Sequence, residues 1–218
     1  MGEPEFAGLT AVVTGGATGI GLATARLLAD SGARVACLDL DPRDVPEPLV
    51  RAYVDIADEH SVRAGLAWAA ELLGGIDILV NSAGIGVPGV EDLPDHEWHR
   101  ALEINVLGVA RTTRAALPYL RRSSAPAIVN ACWTAATTGP APVLSLASET
   151  VLSMTRATAA DLVDDGVRVT CVNPDALVTP EEVAAAIAYL ASPLSAATTG
   201  TELAVNGGTS GPQPRPGT

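Results

Sequence analysis

The stretch that decides the fold is Val12-Val13-Thr14-Gly15-Gly16-Ala17-Thr18-Gly19-Ile20-Gly21, which leads directly into Leu22-Ala23-Thr24-Ala25-Arg26-Leu27-Leu28-Ala29. An apolar run, a glycine-rich turn and an amphipathic run predict a β-strand, a tight turn and an α-helix, in that order. The glycines let the backbone approach a ligand closely, and the free N–H groups at the start of the helix favour a pyrophosphate. We therefore predict a dinucleotide-binding turn, although a Gly-x-x-x-Gly-x-Gly pattern alone is also typical of ordinary strand-to-helix turns.

The next apolar run strengthens this prediction. Arg34-Val35-Ala36-Cys37-Leu38-Asp39 is typical of a buried strand, and it ends in a carboxylate. That carboxylate follows the glycine turn by about 20 residues, the spacing at which an acidic side chain can accept hydrogen bonds from an adenosine ribose. Asp39 is therefore a candidate ribose-binding residue.

Composition restricts the class of protein. The 218 residues are 48% hydrophobic, which is enough for one sizeable core and predicts one domain. The formal net charge of −12 is not offset by any basic cluster, so repulsion from phosphates argues against nucleic acid as a partner. No stretch is long enough to span a bilayer, and the N-terminus lacks the pattern of a secretory signal. We therefore expect no membrane association and a cytoplasmic location.

The chain contains three cysteines, Cys37, Cys132 and Cys171, and no lysine. The cysteines lie in predicted apolar strands or at their ends, without the spacing of metal ligands. This pattern favours buried thiols over a disulfide or a zinc site. No metal site is predicted.

Apolar runs alternate with helical periodicity along the rest of the chain. The proline-rich segment 41–48 cannot form a regular helix, so we expect a loop there. The alternation predicts an α/β fold, a doubly wound parallel sheet (Rossmann fold) of about seven strands in one domain, residues 1–206, followed by a mobile tail, 207–218. The later predicted strands are 51–55, 76–81, 125–130, 167–174 and 202–205, and the later predicted helices are 60–73, 95–120, 146–163 and 181–191.

Several of these segments together resemble the short-chain dehydrogenase/reductase family, and the resemblance covers nearly the whole chain. Thr14 to Gly21 matches the family's Thr-Gly-x-x-x-Gly-x-Gly turn, and Asp39 matches its ribose-binding acid. Asp55 matches the acid near the adenine, and Asn81-Ser82-Ala83-Gly84 matches the Asn-Asn-Ala-Gly motif. The resemblance implies a weakly bound NAD, held by Gly15, Ala17, Thr18, Gly19, Ile20, Gly21, Asp39, Asp55, Asn81, Ala83, Gly84 and Pro174.

The catalytic part of the resemblance departs from the family. Family members use a Tyr as the proton donor and a Lys four residues later, usually as Tyr-x-Ala-Ser-Lys. The corresponding residues here are Ser145-Leu146-Ala147-Ser148-Glu149. A serine hydroxyl is far less acidic than a phenol, and a carboxylate raises rather than lowers the pKa of a neighbouring acid. The resemblance therefore implies that the usual proton relay cannot operate.

Two further positions belong to the same comparison. The family's active-site Ser aligns with Trp133, and a slip of one residue gives Cys132 or Thr134 instead. Asn105 matches the family's active-site Asn, for which we favour a structural role in its helix. An alternative role for Glu149 is that of the general base in a non-redox reaction.

The connection after the sixth predicted strand is also short. Family members usually insert a substrate lid of a few tens of residues there, whereas Asp175-Ala176-Leu177-Val178-Thr179 leads directly into Pro180. The resemblance thus implies a substrate side that is open to water.

Three functions stay open at this level. The first, which we favour, is a non-catalytic homologue (a pseudoenzyme) that forms a homo-oligomer, or a hetero-oligomer with a partner such as an active relative, through the helices over 95–120 and 146–163. The second is a repurposed enzyme of cyclase or isomerase type. The third is an NAD-dependent oxidoreductase with non-standard acid–base residues.

Overall fold

A parallel sheet of seven strands organises the computed structural model, which describes residues 4–87, 93–132, 142–175 and 178–207. The strand order is β3-β2-β1-β4-β5-β6-β7, and all neighbouring pairs are parallel. The predicted doubly wound α/β fold is confirmed. The strands are β1 (Thr10–Thr14), β2 (Arg34–Asp39), β3 (Val50–Tyr53), β4 (Ile78–Asn81), β5 (Ala127–Ala131), β6 (Arg168–Pro174) and β7 (Glu202–Val205). The α-helices are α1 (Gly19–Asp30), α2 (Glu59–Leu73), α3 (Asp95–Leu102), α4 (Val109–Leu120), α5 (Pro142–Asp161) and α6 (Pro180–Ala191).

Helices cover both faces of the sheet. The central strands β1, β4 and β5 are buried along their whole length, as expected when a parallel sheet has both faces covered. On one face α1 and α6 pack on Val13 and Val80, and on the other α2, α4 and α5 pack on Val12 and Ile128. None of the helices in the described part of the chain has both the length and the apolar character needed to cross a bilayer.

The order in which strands are added to the sheet reverses between β1 and β4. The chain runs outward from β1 through β2 to β3, then returns to pair β4 with the other side of β1. In open α/β sheets this reversal leaves a crevice beyond the carboxyl ends of the two central strands, where ligands bind. The glycine turn that follows β1 opens into this crevice.

The segment predicted as one helix over 95–120 is divided. A π-helical turn, Glu103–Gly108, lies between α3 and α4. Within it, the Asn105 amide both accepts from and donates to the backbone of Ile85 at 2.8 and 3.0 Å. Gly108 fits closely against Ile56, because a Cβ there would lie 2.6 Å from Ile56 Cδ1. These two long-range contacts accompany the widened turn, a feature often found at functional sites.

The connections from β2 to β3 and from β6 to α6 are as the sequence predicts. The stretch between β2 and β3 contains turns and no helix, as its prolines predict. The connection from β6 to α6 comprises residues 175–179 only, and it ends in a capping box formed by Thr179 and Glu182. The capping box satisfies free N–H groups at the start of α6 and so defines where this helix begins.

A half-buried arginine, Arg168, binds the carbonyl groups at the C-terminus of α6. The Arg168 guanidinium donates to the carbonyl oxygens of Leu190, Ala191 and Ser192 at 2.6–3.1 Å and to the Ser195 hydroxyl at 2.8 Å. Burial lowers its pKa from the ordinary arginine value. A cation at a helix C-terminus satisfies carbonyl groups that have no partner within the helix, so Arg168 ties α6 to β6.

The prediction of three separate thiols is wrong for two of the cysteines. The structure pairs Cys132 and Cys171 as a disulfide, with Cα atoms 6.6 Å apart. The two residues are 39 positions apart in sequence and become neighbours only because β5 pairs with β6. Cys37 remains a buried thiol, and burial together with Asp39 raises its pKa to about 12.

Candidate functional site

A cleft lies at the carboxyl ends of β1, β2 and β4, at the point where the strand order reverses. Most of the residues that were predicted to hold a cofactor line this cleft, although they come from separate motifs along the chain. It is lined by Gly15, Thr18, Gly19, Ile20, Gly21, Leu38, Asp39, Leu40, Val54, Asp55, Ile56, Ser82, Ala83, Gly84, Ile85 and Ile104. Three predicted residues, Ala17, Asn81 and Pro174, are not part of this lining.

The glycine turn requires glycine at several positions, of which Gly15 and Gly21 pack most closely against backbone. Gly15 has a φ of +65°, and a Cβ there would lie 2.8 Å from Ala83 Cα. A Cβ at Gly21 would collide with the Gly15 carbonyl oxygen. Both collisions are with backbone, which cannot rotate away as a side chain can. The turn therefore packs against β4 and the first turn of α1 without side chains between them, and the N-terminus of α1 is left open to the cleft.

Asp39 stands at the rim of the cleft in a defined position. One carboxylate oxygen accepts a hydrogen bond from the backbone N–H of Ala17 at 3.1 Å, and the other accepts from the N–H of Asp41 at 3.1 Å. Ala17 thus contributes through its backbone to the carboxylate and does not line the cleft itself. The remaining acceptor capacity of Asp39 faces a space where two ribose hydroxyls could donate.

Asp55 forms part of the same end of the cleft, next to an apolar wall. Its carboxylate accepts from the N–H of Ala57 at 2.8 Å, and its own N–H donates to the Ser61 hydroxyl at 3.0 Å. The wall is formed by Leu40, Val54, Ile56 and Ile104. An apolar wall beside carboxylates suits a flat aromatic base that carries donor groups.

The sequence did not predict this apolar wall. Val54 and Ile56 flank Asp55, so their alternation with it was an available signal. Ile104 had no such signal, because it reaches the cleft from the π-helical turn, 48 positions beyond the nearest of these two residues in the sequence.

Asn81 belongs to a closed network of buried amides and hydroxyls beneath the cleft. Its Nδ2 donates to Asn130 Oδ1 at 2.9 Å, and its Oδ1 accepts from the Thr112 hydroxyl at 2.7 Å. Asn130 Nδ2 in turn donates to the Thr155 hydroxyl at 2.9 Å. The network joins β4, β5, α4 and α5, and we assign Asn81 a role in holding these elements together.

The predicted catalytic positions that the structure describes are not part of the cleft lining. Ser145 and Glu149 are exposed on α5, one helical turn apart. Trp133 and the alternative Thr134 lie outside the described residues. Cys132 follows β5, where it is paired with Cys171. Asn105 is buried, and both of its amide atoms form hydrogen bonds with the backbone of Ile85.

No other residue of the described lining replaces the missing acid and cation. The lining contains two carboxylates and the hydroxyls of Thr18 and Ser82, but among the described residues it contains no tyrosine, lysine, histidine or arginine. The chain's three tyrosines all lie on β3, α4 and α6 and outside this lining. No group of acidic, histidine or cysteine side chains in the described ranges could hold a metal ion.

Comparison with known protein families agrees with this architecture. Residues 9–186 match the family model described as short chain dehydrogenase, and residues 175–210 match one described as enoyl-(acyl carrier protein) reductase. The chain belongs to the short-chain dehydrogenase/reductase family. Dehydrogenases of this family typically use NAD(P), for which the glycine turn and the acidic end of β2 are the expected contacts.

Relatives of this family are named as dehydrogenases. The chain is 36% identical to cis-4-hydroxycyclohexanecarboxylate dehydrogenase of Sinomonas cyclohexanicum, with 95% of this chain and 98% of the relative covered. It is 33% identical to the mitochondrial (−)-isopiperitenol/(−)-carveol dehydrogenase of Mentha piperita, with 94% of each covered. The first of these alignments extends over 246 positions, more than the 218 residues of this chain. The relative therefore contains segments that have no counterpart here.

Solved structures of the family superpose on nearly the whole chain. A short-chain type dehydrogenase/reductase from Mycobacterium marinum has a TM-score of 0.89 at 26% identity, covering 96% of this chain and 98% of its own. Ligand-free aldohexose dehydrogenase of Thermoplasma acidophilum has a TM-score of 0.87 at 27% identity, covering 99% and 100%. The chain thus shares its fold with both of these family members.

Proposed function

We propose that this chain is an NAD(H)-binding member of the short-chain dehydrogenase/reductase family without hydride-transfer activity of its own. The observation that carries the proposal is that Ser145 and Glu149 occupy the positions of the family's Tyr and Lys, in a chain that has no lysine at any position. The described cleft lining keeps the glycines and carboxylates that suit a nucleotide.

The residues present fit a dinucleotide at its adenosine end. The cradle formed by Gly15 and Gly21 admits no side chain, so the pyrophosphate can approach the backbone N–H groups at the start of α1. Asp39 would accept from the ribose hydroxyls, and Asp55 would lie near the adenine. When bound, NAD(H) supplies a hydride donor or acceptor. The chain's described residues bind and orient the nucleotide and supply no proton.

We expect NADH to bind at least about tenfold more tightly than NADPH, a difference of about 1.4 kcal/mol. The physical reason is Asp39, whose carboxylate accepts from a free 2′-hydroxyl and repels a 2′-phosphate. The measurement is calorimetric titration of the purified protein with each nucleotide. Asp39→Ala should remove most of this discrimination.

The matched control is Asp41→Ala, because Asp41 is an exposed carboxylate two residues away that pairs with Arg43 at 2.5 Å. Its backbone N–H, which donates to Asp39, is kept in this variant. Tighter binding of NADPH by the unmodified protein would contradict the role given to Asp39. Absence of binding for both nucleotides would contradict the proposed function.

We further propose that the chain associates through α4, α5 and the intervening π-helical turn, either with a second copy or with an active relative. The supporting observation is two exposed leucines, Leu107 on the π-helical turn and Leu146 on α5, which are 46% and 48% exposed. Within the predicted helix over 146–163, Val151 and Leu152 are buried in the core and are not available for such a contact.

Sedimentation velocity should therefore give a particle of at least twice the 22.1 kDa chain mass at micromolar concentration. Leu107→Asp together with Leu146→Asp should shift it to the monomer, since each places a charge in the contact. The control is Leu194→Asp, because Leu194 is 80% exposed and lies beyond α6. A monomer at all concentrations, with no partner recovered from extracts, would remove this part of the proposal.

A second candidate function is favoured by the names of the relatives. Two of them are dehydrogenases of hydroxyl-bearing ring compounds, so a dehydrogenase of cyclic alcohols with unrecognised acid–base groups is the alternative. A repurposed isomerase or cyclase with Glu149 as its base is less well supported, because Glu149 is exposed on α5 and lies outside the cleft lining.

A further inference from the structure

We propose that the groove between α2 and α4 binds a short acidic peptide segment of another protein, one that carries both carboxylates and apolar side chains. The groove shares no lining residue with the nucleotide cleft. The inference goes beyond the proposed function, since it does not depend on whether a nucleotide binds.

Two depressions join to form this groove. One lies beside the first half of α2 and the other beside its second half, and both are lined by Ala67 and Tyr119. Small side chains of α2 and α4, among them Ala64, Ala115 and Pro118, line the first half and leave space between the helices. With 15 residues, α2 is about 22 Å long, a distance that about seven residues of an extended chain cover. The groove thus has the length of a short peptide segment.

The lining of the groove is basic, although the chain is acidic. Its charged residues are five arginines and three carboxylates: Arg34, Arg63, Arg111, Arg114, Arg122, Glu59, Glu71 and Asp77. They leave an excess of two positive charges in a chain whose net charge is −12. The arginines come from β2, α2, α4 and the turn after α4, so only the fold brings them together.

Three of these arginines are available to a ligand. Arg63 stands at one end of the groove and Arg122 at the other, and both are exposed. Neither guanidinium has a hydrogen bond or an ion pair with any residue that the structure describes. Arg114 pairs with Glu59 at 3.1 Å, but both side chains are more than half exposed. Such an ion pair contributes little in water, so a carboxylate of the ligand can replace Glu59.

The other charges are mostly used within the protein. Arg111 pairs with Glu103, and Arg34 donates to a carbonyl group at the end of α2. The Asp77 carboxylate accepts from the N–H and the hydroxyl of Thr10, each at 2.8 Å. The charge that a ligand meets is therefore mainly positive, and a carboxylate at each end of the ligand complements it.

The outer edge of α2 adds apolar surface beside the groove. Trp68 and Leu72 are one helical turn apart and are 41% and 52% exposed. Large apolar side chains that face water next to one another are typical of protein contact surfaces. They suit apolar side chains of the ligand, which is why we assign a peptide rather than a purely acidic polymer.

Neither a second copy of this chain nor a nucleic acid matches the groove as well. A two-fold contact between copies would place each groove against itself and bring arginine against arginine. A phosphate backbone would pass from the few arginines of the groove to a surface dominated by carboxylates, since the chain as a whole carries a net charge of −12.

The test is fluorescence anisotropy of a labelled peptide in which glutamate and leucine alternate, titrated with the full unmodified chain. We expect saturable binding that weakens with added salt, because exposed charges are screened, and weaker binding of the same peptide with glutamine in place of glutamate. Arg63→Ala with Arg122→Ala should raise the Kd about fivefold, since each exposed ion pair contributes a factor of up to about five. Ala67→Trp should abolish binding, because its indole would fill the point where the two depressions meet.

Matched controls change the same residue types elsewhere. Arg26→Ala with Arg156→Ala removes two exposed arginines from α1 and α5, and Ala185→Trp adds an indole to the exposed side of α6. These variants should leave the Kd for the peptide unchanged. Ala67 is itself exposed, so Ala67→Trp should keep the denaturation midpoint of the unmodified protein.

Four results would overturn the inference. They are absence of peptide binding, equal binding of the glutamate and glutamine peptides, equal losses in the groove variants and their controls, and tighter binding of an oligothymidylate than of the peptide. If Ala67→Trp instead dissociated an oligomer of this chain in sedimentation, a second copy would be the occupant. Each of these results leaves the proposed binding of NAD(H) intact, because nucleotide binding is measured separately.

Discussion

Purified without any partner protein, this chain is expected to show no measurable NADH-dependent reduction or NAD⁺-dependent oxidation of the ketones and alcohols accepted by its relatives. A positioned general acid typically accelerates such a reaction by about 10²–10⁴-fold. Here Ser145 and Glu149 stand in place of the family's Tyr and Lys, and the chain has no lysine. The measurement is the change in NADH absorbance at high protein concentration, with an active relative as the positive control.

Restoring the two family residues should not restore turnover. Ser145→Tyr with Glu149→Lys returns the proton donor and its cation, but the connection over residues 175–179 still leaves no segment to cover a substrate. Positioning of the substrate contributes separately from proton transfer, so its loss persists in the double variant. The matched control is Leu146→Tyr with Thr150→Lys, which places the same side chains on α5 one residue further along.

Two results would contradict this interpretation. A clear rate from the unmodified protein that is abolished by Asp39→Ala would move the dehydrogenase of cyclic alcohols to first place. A rate that appears only in the Ser145→Tyr, Glu149→Lys variant, and not in its control, would show that the scaffold is otherwise competent and that the short connection is not limiting.

The second large effect, a loss of nucleotide binding, is expected when one methyl group is added at Gly21. Gly21→Ala should abolish nucleotide binding in calorimetry and lower the free energy of unfolding by about 1–3 kcal/mol, the usual cost of overpacking. The new Cβ would collide with the Gly15 carbonyl oxygen. Gly15 cannot yield, because its φ of +65° and its close approach to Ala83 already define its position.

The same substitution at Gly86 is the control. Gly86 is exposed, and a Cβ there would meet no atom within 4 Å, so Gly86→Ala should change neither the denaturation midpoint nor the Kd for NAD⁺. If Gly21→Ala bound NAD⁺ as the unmodified protein does, the glycine turn would not be the cradle of the pyrophosphate. A destabilised variant that still bound would point to a purely structural role for Gly21.

Features that depend on neighbouring residues could be predicted from the sequence. The alternation of apolar runs and helical periodicity gave the parallel α/β sheet. The glycine turn beside a strand that ends in Asp39 gave the position of the cleft. Both succeed because strand, turn and helix are local, and because the carboxyl ends of parallel strands always meet at one edge of the sheet. The short connection after β6 could also be predicted, because its length follows from the number of residues between the strand and the helix.

Features that depend on distant residues were decided only by the tertiary structure. The pairing of Cys132 with Cys171 requires β5 to lie beside β6, and Arg168 meets the end of α6 only once that helix has packed on the sheet. Ile104 enters the cleft through a π-helical turn whose Asn105 is held by Ile85. Such contacts join residues far apart in sequence, and no local spacing encodes them. The same holds for Asn81, which was predicted to bind a cofactor: its amide hydrogen-bonds to Asn130 on β5 and Thr112 on α4.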